Sequence, residues 1–359
     1  MSETTDPAVK VADYEKVLQE ADENVAAFSD QRGPVRRLQH FLHAYPTAIP
    51  FFVLVIGLVA FSILVGARFF APFNLSLILQ QVTIIGTLGI AQTLIILTAG
   101  IDLSVGAIMI LSTVVMGRLA VVSGVPIFIA FPAGLLAGLA CGYLNGVFVT
   151  LLKLPPFIVT LGTWSIYGAL LLFYSHSSTI RQQDIANAAP MLQWLGNSFK
   201  VARAPITFGS ILMLLIAAAI WYVLNRTAFG RHVYATGDDP AAARLAGIST
   251  TRTLLGVYSL AGFICAVAGW ILIGRIGAVS PLAGQSANLD SITAVVIGGT
   301  SLFGGRGSIV GTLIGALIVG VFRDGLSLYG LDDLWQEFTV GVLIIVAVAI
   351  DQWVRRISS

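Results

Sequence analysis

Charged residues are scarce in this chain of 359 residues, where Asp, Glu, Lys and Arg together make up 11%. Hydrophobic residues make up 57%, and the mean hydropathy is +0.89. This composition excludes an ordinary soluble domain, in which about a quarter of the residues are charged. It predicts an all-α polytopic membrane protein whose helices are mostly apolar.

Several motifs that support chemistry are missing as well. The two cysteines, Cys141 and Cys265, lie in apolar stretches, which favours packing over a disulfide framework. The sequence has no metal-ligand spacing and no GxxxxGK[ST] phosphate loop. We therefore expect no metal, no catalytic residue and no cofactor bound by this chain, and no ATP hydrolysis by the chain itself.

The N-terminal segment also differs from a signal peptide, because it is polar and acidic where a signal has a basic start and an apolar core. Residues 1–44 hold eight of the eighteen acidic residues. We interpret residues 1–44 as a cytoplasmic tail and residues 45–359 as the transmembrane domain. The tail could form a surface helix or remain flexible.

Apolar stretches of about twenty residues predict about ten membrane spans. They cover approximately 48–67, 76–98, 103–123, 127–151, 156–174, 207–224, 254–275, 288–304, 308–328 and 334–354. Lys and Arg near the span ends favour cytoplasmic termini. This orientation places the loop 225–253 in the cytoplasm and the loop 175–206 outside, where a short surface helix is expected near Trp194.

Two segments resemble each other, AGIDLSVG at 99–106 and GGTSLFGG at 298–305. Their alignment pairs Gly100 with Gly299 and Gly106 with Gly305, so the chain could contain two related halves. Glycine-interrupted helices at matching places can mark a transport path. Glycine-rich membrane segments also match by chance. Candidate gate or helix-break residues are Gly100, Asp102, Ser104, Gly106, Gly299 and Gly305.

Asp102 is the first acidic residue after the tail. A carboxylate at membrane depth is usually functional. The favoured interpretation is that Asp102 caps the following helix, with gate shaping as the sharper alternative.

The cytoplasmic loop contains a short helix whose ends are encoded locally. Asp239 is a natural N-cap, Pro240 suits the first helical position, and Gly247 suits the residue past the end. The residues between them are strong helix formers: Ala241, Ala242, Ala243, Arg244, Leu245 and Ala246. Because so short a helix is marginal alone, we expect another protein to grip it.

Polar residues within the spans could line a path for a hydroxyl-rich solute. The candidates are Gln80, Gln92, Asn145, Trp164 and Thr293. Hydrogen bonds between helices explain these residues equally well.

Four segments together resemble the monosaccharide-import permeases of bacterial ABC transporters, and most of all the fructose permeases. They are ILTAGIDLSVGAIM, LPPFIVTLGT, NRTAFGRHVYATGDDPAAARLAGI and ITAVVIGGTSLFGGRGSIVGTLIGALIVGV. The resemblance implies an inner-membrane permease that pairs with a second copy of itself. It also implies ATPase subunits that use ATP and Mg, a periplasmic sugar-binding protein, surrounding membrane lipid and no nucleic acid.

The resemblance further implies that residues 239–247 form the coupling helix held by the ATPase. Three alternatives stay open at this point. One is an ion-coupled secondary transporter, although few acids accompany Asp290 and Asp324 in the spans. The second is a membrane enzyme, and the third is a permease for another small solute such as a branched-chain amino acid.

Overall fold

The computed structural model describes residues 48–201, 204–284 and 286–355. The chain divides into two units, Met1–Ala44 and Tyr45–Ser359, and all described residues belong to the second. The predictions for the acidic tail therefore lie outside the described residues.

The described residues are almost entirely helical. The helices are α1 (Ala48–Val65), α2 (Pro72–Leu97), α3 (Val105–Gly117), α4 (Ile127–Thr150), α5 (Pro156–Ser175), α6 (Gln182–Ala188), α7 (Phe208–Arg226), α8 (Ala228–Asp238), α9 (Pro240–Leu245), α10 (Thr250–Ile276), α11 (Ala287–Ile297), α12 (Ile309–Tyr329) and α13 (Asp333–Arg355). A 3₁₀ turn, Gly66–Arg68, follows α1, and a π-helical turn, Arg118–Val122, extends α3.

Eight helices among the described residues are long and apolar enough to cross a membrane. Of the ten predicted spans, the one at 288–304 is wrong in extent. Its helix, α11, has 11 residues and ends at Ile297, where Gly298 and the left-handed Gly299 stop it. The last predicted span, 334–354, coincides in position with α13, which is not among those eight helices.

The loop between α5 and α7 is more structured than predicted. Besides α6 it contains a 3₁₀ helix, Pro190–Gly196, at the position of the predicted surface helix. Leu192 and Leu195 are buried in the protein, while Trp194 is half-exposed and stacks on Phe208. Strands β1 (Ser198–Val201) and β2 (Ala204–Thr207) form an antiparallel pair that the sequence analysis did not predict.

Helices α2, α3 and α10 form the interior, and most of their residues are buried. Glycines bring α4 and α10 unusually close, because a Cβ placed on Gly142 would come 2.9 Å from the Gly262 Cα. Small residues that let backbones approach are a common means of packing helices in a membrane. This contact holds the peripheral helix α4 against the centre of the bundle.

Candidate functional site

The predicted loop helix is α9, and its caps have the expected geometry. The Asp239 carboxylate accepts from the backbone N–H groups of Ala241 at 2.8 Å and Ala242 at 3.0 Å. Gly247 takes the left-handed conformation with φ +81°, and the N–H of Ile248 bonds back to the Ala243 carbonyl. A bond of this kind, from the second residue after the helix back to a carbonyl of its last turn, closes a helix C-terminus.

The faces of α9 differ in their surroundings. Ala243 faces the protein and is buried, whereas the Leu245 side chain is 91% exposed. Arg244 is held back against the protein, since its Nε donates to Thr250 Oγ1 at 3.1 Å. The exposed surface of α9 therefore carries an unpacked leucine at its end.

Helix α8, which precedes α9, joins it to the membrane domain through glycines. A Cβ on Gly237 would overlap the Leu97 carbonyl oxygen and come 2.9 Å from the Gly305 nitrogen. The Gly305 N–H itself donates to the Leu97 carbonyl at 3.0 Å. The C-terminal end of α8 at Gly237, which we call the neck of α9, thus contacts the end of α2 and the loop before α12 at one point. We call this point the glycine junction (Leu97, Gly237, Gly304 and Gly305).

Tyr234 adds a side-chain bond beside the glycine junction. Its hydroxyl donates to the Gly307 carbonyl at 2.9 Å. Burial raises the pKa of the Tyr234 phenol above its usual value, so the group stays protonated and able to donate. Helix α8 therefore holds the loop before α12 through both packing and a hydrogen bond.

The two similar sequence segments form two turns of the same kind, turn 1 (98–104) and turn 2 (298–308). In turn 1 Ala99 is left-handed and the Gly100 N–H bonds to the Ile95 carbonyl at 3.1 Å. In turn 2 Gly299 is left-handed and the Thr300 N–H bonds to the Val295 carbonyl at 3.2 Å. The structural match pairs Ala99 with Gly299, so the pairing of Gly100 with Gly299 is off by one residue.

Asp102 is buried within turn 1 and does not cap α3 as predicted, because the N-cap residue of α3 is Ser104. Its carboxylate accepts from the Ser104 backbone N–H and from the Ser104 hydroxyl, both at 2.6 Å. The Asn145 amide on α4 donates to the Ser104 hydroxyl at 2.8 Å, and its oxygen accepts from Tyr167 on α5 at 3.3 Å. This polar cluster ties turn 1 to two neighbouring helices, and sequence reasoning missed Tyr167.

A cavity of about 370 Å³ lies between the start of α3, the middle and C-terminal part of α5 and the segment that leads into α11. Its lining includes Gly106, Trp164, Ser165, Gly168 and Asn288. The Asn288 side-chain oxygen accepts from the Gly106 N–H at 2.5 Å, so it bridges the first turns of α3 and α11. Sequence analysis selected Gly106 and Trp164 but missed Asn288, whose polar side chain at the start of an apolar helix was the available signal.

The other predicted path residues do not share this cavity. Asn145 belongs to the Asp102 cluster, and Thr293 bonds to the Leu289 carbonyl of its own helix at 2.6 Å. Gln92 is fully buried, and Gln80 donates to Ser76 at 3.2 Å. Among the five candidates, Trp164 alone is a lining residue of the cavity, and bonds between or within helices account for most of the others.

Two further acidic side chains in the bundle have partners. The Asp290 carboxylate is buried and lies 2.6 Å from the Arg323 guanidinium. Asp324 accepts from the Asn74 amide at 2.8 Å. Both acids therefore join α12 to adjacent helices, as buried charges and amides in membrane proteins commonly do.

A bundle of apolar helices with interrupted segments, a cavity between three parts of the chain and a protruding loop helix is the architecture expected of a multi-pass transport permease. The comparisons with known proteins agree. Residues 74–348 match the family described as "Branched-chain amino acid transport system / permease component". Because the match covers well over half of the chain, the protein belongs to this permease family.

Curated relatives match over most or all of their length. The chain is 55% identical to the fructose import permease protein of Rhizobium meliloti over the whole of both chains. It is 41% identical to the ribose import permease protein of Bacillus subtilis, over 84% of this chain and 92% of the relative. It is 31% identical to the xylose transport system permease protein of Escherichia coli, over 86% and 93%. No solved structure matches the chain.

Proposed function

We propose that this chain is the membrane permease of an ATP-driven importer whose substrate is fructose. The predicted class, the permease component of a sugar ABC importer, is confirmed by the family match and the curated relatives. The 55% identity over the full chain with a fructose permease, against 41% or less with the ribose and xylose permeases, supports fructose within that class.

Membership of this class implies two kinds of partner, an ATPase subunit and a periplasmic sugar-binding protein. We propose that ATP and Mg bind to the ATPase, because this chain has no phosphate loop. Pairing with a second copy of the chain remains a prediction, as does the cytoplasmic position of both termini. The protein is a multi-pass membrane protein of an importer, which fits the bacterial inner membrane.

The loop helix α9 is the surface that best fits the ATPase. Leu245 projects from it almost fully exposed, and an exposed leucine gains about 1.5–3 kcal/mol when a partner buries it. The neck of α9 reaches both turns through the glycine junction. Movement of α9 by a closing ATPase dimer would therefore act on two interrupted helices at once.

The two remaining transport hypotheses fit less well. A branched-chain amino acid carries a carboxylate and an ammonium group, and no lining residue of the cavity is charged. An ion-coupled transporter needs acids free to bind the coupling ion. In this chain Asp290 and Asp324 are already paired or hydrogen-bonded.

The test is ATP-driven uptake of D-fructose by proteoliposomes that hold the permease, its ATPase and its binding protein. We expect Leu245→Asp to weaken ATPase association about 10- to 100-fold, since about 1.4 kcal/mol corresponds to a factor of ten. Uptake should fall with it, while Arg244→Asp should have a smaller effect because Arg244 is tied to Thr250.

The matched control is Leu334→Asp, at another strongly exposed leucine, in the first turn of α13. This variant should keep normal ATPase association. Wild-type uptake and normal ATPase binding by Leu245→Asp would contradict the assignment of α9. Fructose uptake driven by a proton or sodium gradient without the ATPase would contradict the proposed function itself.

A further inference from the structure

The cavity beside Trp164 is partly open, since the lining residues Trp164 and Leu282 are 47% and 64% exposed. Its volume is about 370 Å³, within the range of about 300–1,000 Å³ that is typical of small-molecule sites. Three separate parts of the chain build it: the start of α3, one face of α5, and residues 281–284 together with Asn288. We infer that this cavity is a contact site for the sugar during transit, an inference that rests on the proposed function.

The lining combines an aromatic ring with a small number of polar groups. Trp164 is 47% exposed, although it lies eight residues into a 20-residue helix. At 1.5 Å per residue this places it about 12 Å from the start of the helix, away from either end. An exposed indole at this depth offers an apolar face to the C–H surface of a sugar ring, with an N–H at its edge.

Asn288 supplies the polar complement on the opposite wall. Its side-chain oxygen is used by the Gly106 N–H, at 2.5 Å. Its amide nitrogen has no hydrogen-bond partner among the residues that the structure describes. Two N–H donors are therefore available to the hydroxyl groups of a solute, and the Ser165 hydroxyl lies on the same lining.

The absence of charge in the lining restricts the class of solute that the cavity can hold. The thirteen residues that form it include no Asp, Glu, Lys, Arg or His. A neutral polyhydroxy compound needs no counter-charge, whereas an amino acid or organic acid would carry an uncompensated charge into this lining. Few polar groups also give weak binding, which suits a site that must release its solute.

The cavity lies where two helices of the interrupted segments begin, and this position fits a transport path. Helices α3 and α11 both begin at its wall, next to the Gly106–Asn288 bond. Turn 1 lies directly before α3, and α11 leads into turn 2. A displacement of either turn would therefore change the wall that holds the solute.

Gly168 allows a direct test, because it lines the cavity and a Cβ placed there meets no atom within 4 Å. A phenylalanine at this position has room for its Cβ, and we expect its ring to occupy part of the cavity. Gly162 is the matched control on the same helix, since it also has open space for a Cβ but does not line the cavity.

We expect Gly168→Phe to lower ATP-driven D-fructose uptake at least tenfold and Gly162→Phe to keep it within twofold. Trp164→Ala should raise the KM for fructose delivered by the binding protein, and Trp164→Tyr should restore most of the uptake. ATPase association, measured by co-purification, should be unchanged in all four variants. Fructose uptake by Gly168→Phe at the wild-type rate would overturn the site.

Thiol labelling gives a second measurement that does not depend on the bulky variant. Both native cysteines are buried, so a Gly168→Cys variant presents one accessible thiol among the described residues. We expect D-fructose to slow its modification by a small methanethiosulfonate during turnover. Labelling that fructose does not slow but phospholipid does would show a lipid-filled cavity and overturn the inference.

The proposed function and the proposed cavity site can be overturned by different results. Wild-type permease that transports neither D-fructose nor D-ribose with its partners would overturn the proposed function and the site together. Wild-type permease that transports fructose, with uptake and labelling in the cavity variants unaffected, would overturn the cavity site alone.

Discussion

Turn 1 and turn 2 end their helices in the same way and are then held by different means. Turn 1 is fixed by side chains, with the Asp102 carboxylate at its centre and Asn145 reaching it from α4. Turn 2 is held by α8, through the packing of its glycines against Gly237 and the bond from the Tyr234 hydroxyl to the Gly307 carbonyl. Both turns meet α8 at the glycine junction, but only turn 1 has a side-chain network that ties it to α4 and α5.

Because the two turns are held by different contacts, we expect them to move by different amounts during transport. A side-chain network with its hydrogen bonds satisfied is rigid, because moving one member leaves others unpaired. A glycine contact depends on close approach and transmits displacement as soon as the partner moves. We expect motion of α8 and α9 to reach both turns through the glycine junction and to displace turn 2 more than turn 1, which its side-chain network holds in place.

The largest effect should come from blocking the close approach at the glycine junction. Gly237→Val would place a branched side chain against the Leu97 carbonyl and the Gly305 nitrogen, which are backbone groups and cannot rotate away. We expect a loss of about 1–3 kcal/mol in stability and near-complete loss of uptake. Thermal unfolding of the purified protein and proteoliposome uptake measure the two effects.

Gly162→Val is the control for that experiment, since its Cβ has open space. It should change neither the unfolding temperature nor the uptake measurably. An active Gly237→Val protein with a normal unfolding temperature would mean that the neck of α9 does not depend on this contact.

An intermediate effect should follow from removing the anchor of turn 1. Asp102→Ala leaves the Ser104 N–H and hydroxyl without their buried acceptor, at a cost of about 1–3 kcal/mol. Asp102→Asn keeps one acceptor oxygen and should lose less than the alanine variant. The unfolding temperatures of the two variants give the comparison, and equal losses would show that the acceptor oxygen is not what stabilises the turn.

The smallest effect should come from exchanging the left-handed residues of the two turns. Ala99 has φ +60° and Gly299 has φ +85°, a region that costs a residue with a Cβ about 1–2 kcal/mol. We expect Gly299→Ala to lower stability by about 1 kcal/mol and Ala99→Gly to be neutral or slightly stabilising. Unfolding temperatures that shift equally in both variants would contradict the structural equivalence of these residues.

Local signals were the ones that sequence reasoning could use. The start and end of α9 followed from Asp239, Pro240 and Gly247 because capping acts within four residues of the helix end. Most spans were equally accessible, since length and apolarity are properties of a single segment. The span at 288–304 failed because Gly298 and Gly299 end α11 in the middle of an apolar run.

The cavity and the glycine junction depend on segments far apart in the chain. Asn288 meets Gly106 across 182 positions, and Gly237 meets Leu97 and Gly305 only after the helices have packed. No periodicity within one helix predicts which polar residue faces a partner and which faces a cavity. For this reason Asn145 and Thr293 were grouped with Trp164, although the structure separates them.

By itself the sequence determined the membrane class, the position and caps of the loop helix, and the permease resemblance. These follow from composition and from contacts between neighbouring residues, which the chain order already contains. Only the tertiary structure decided that the loop helix reaches both turns, that a side-chain network holds turn 1 while α8 holds turn 2, and that Trp164 faces a cavity. Those facts arise from close packing between distant segments, where the space for a single Cβ decides which backbones can meet.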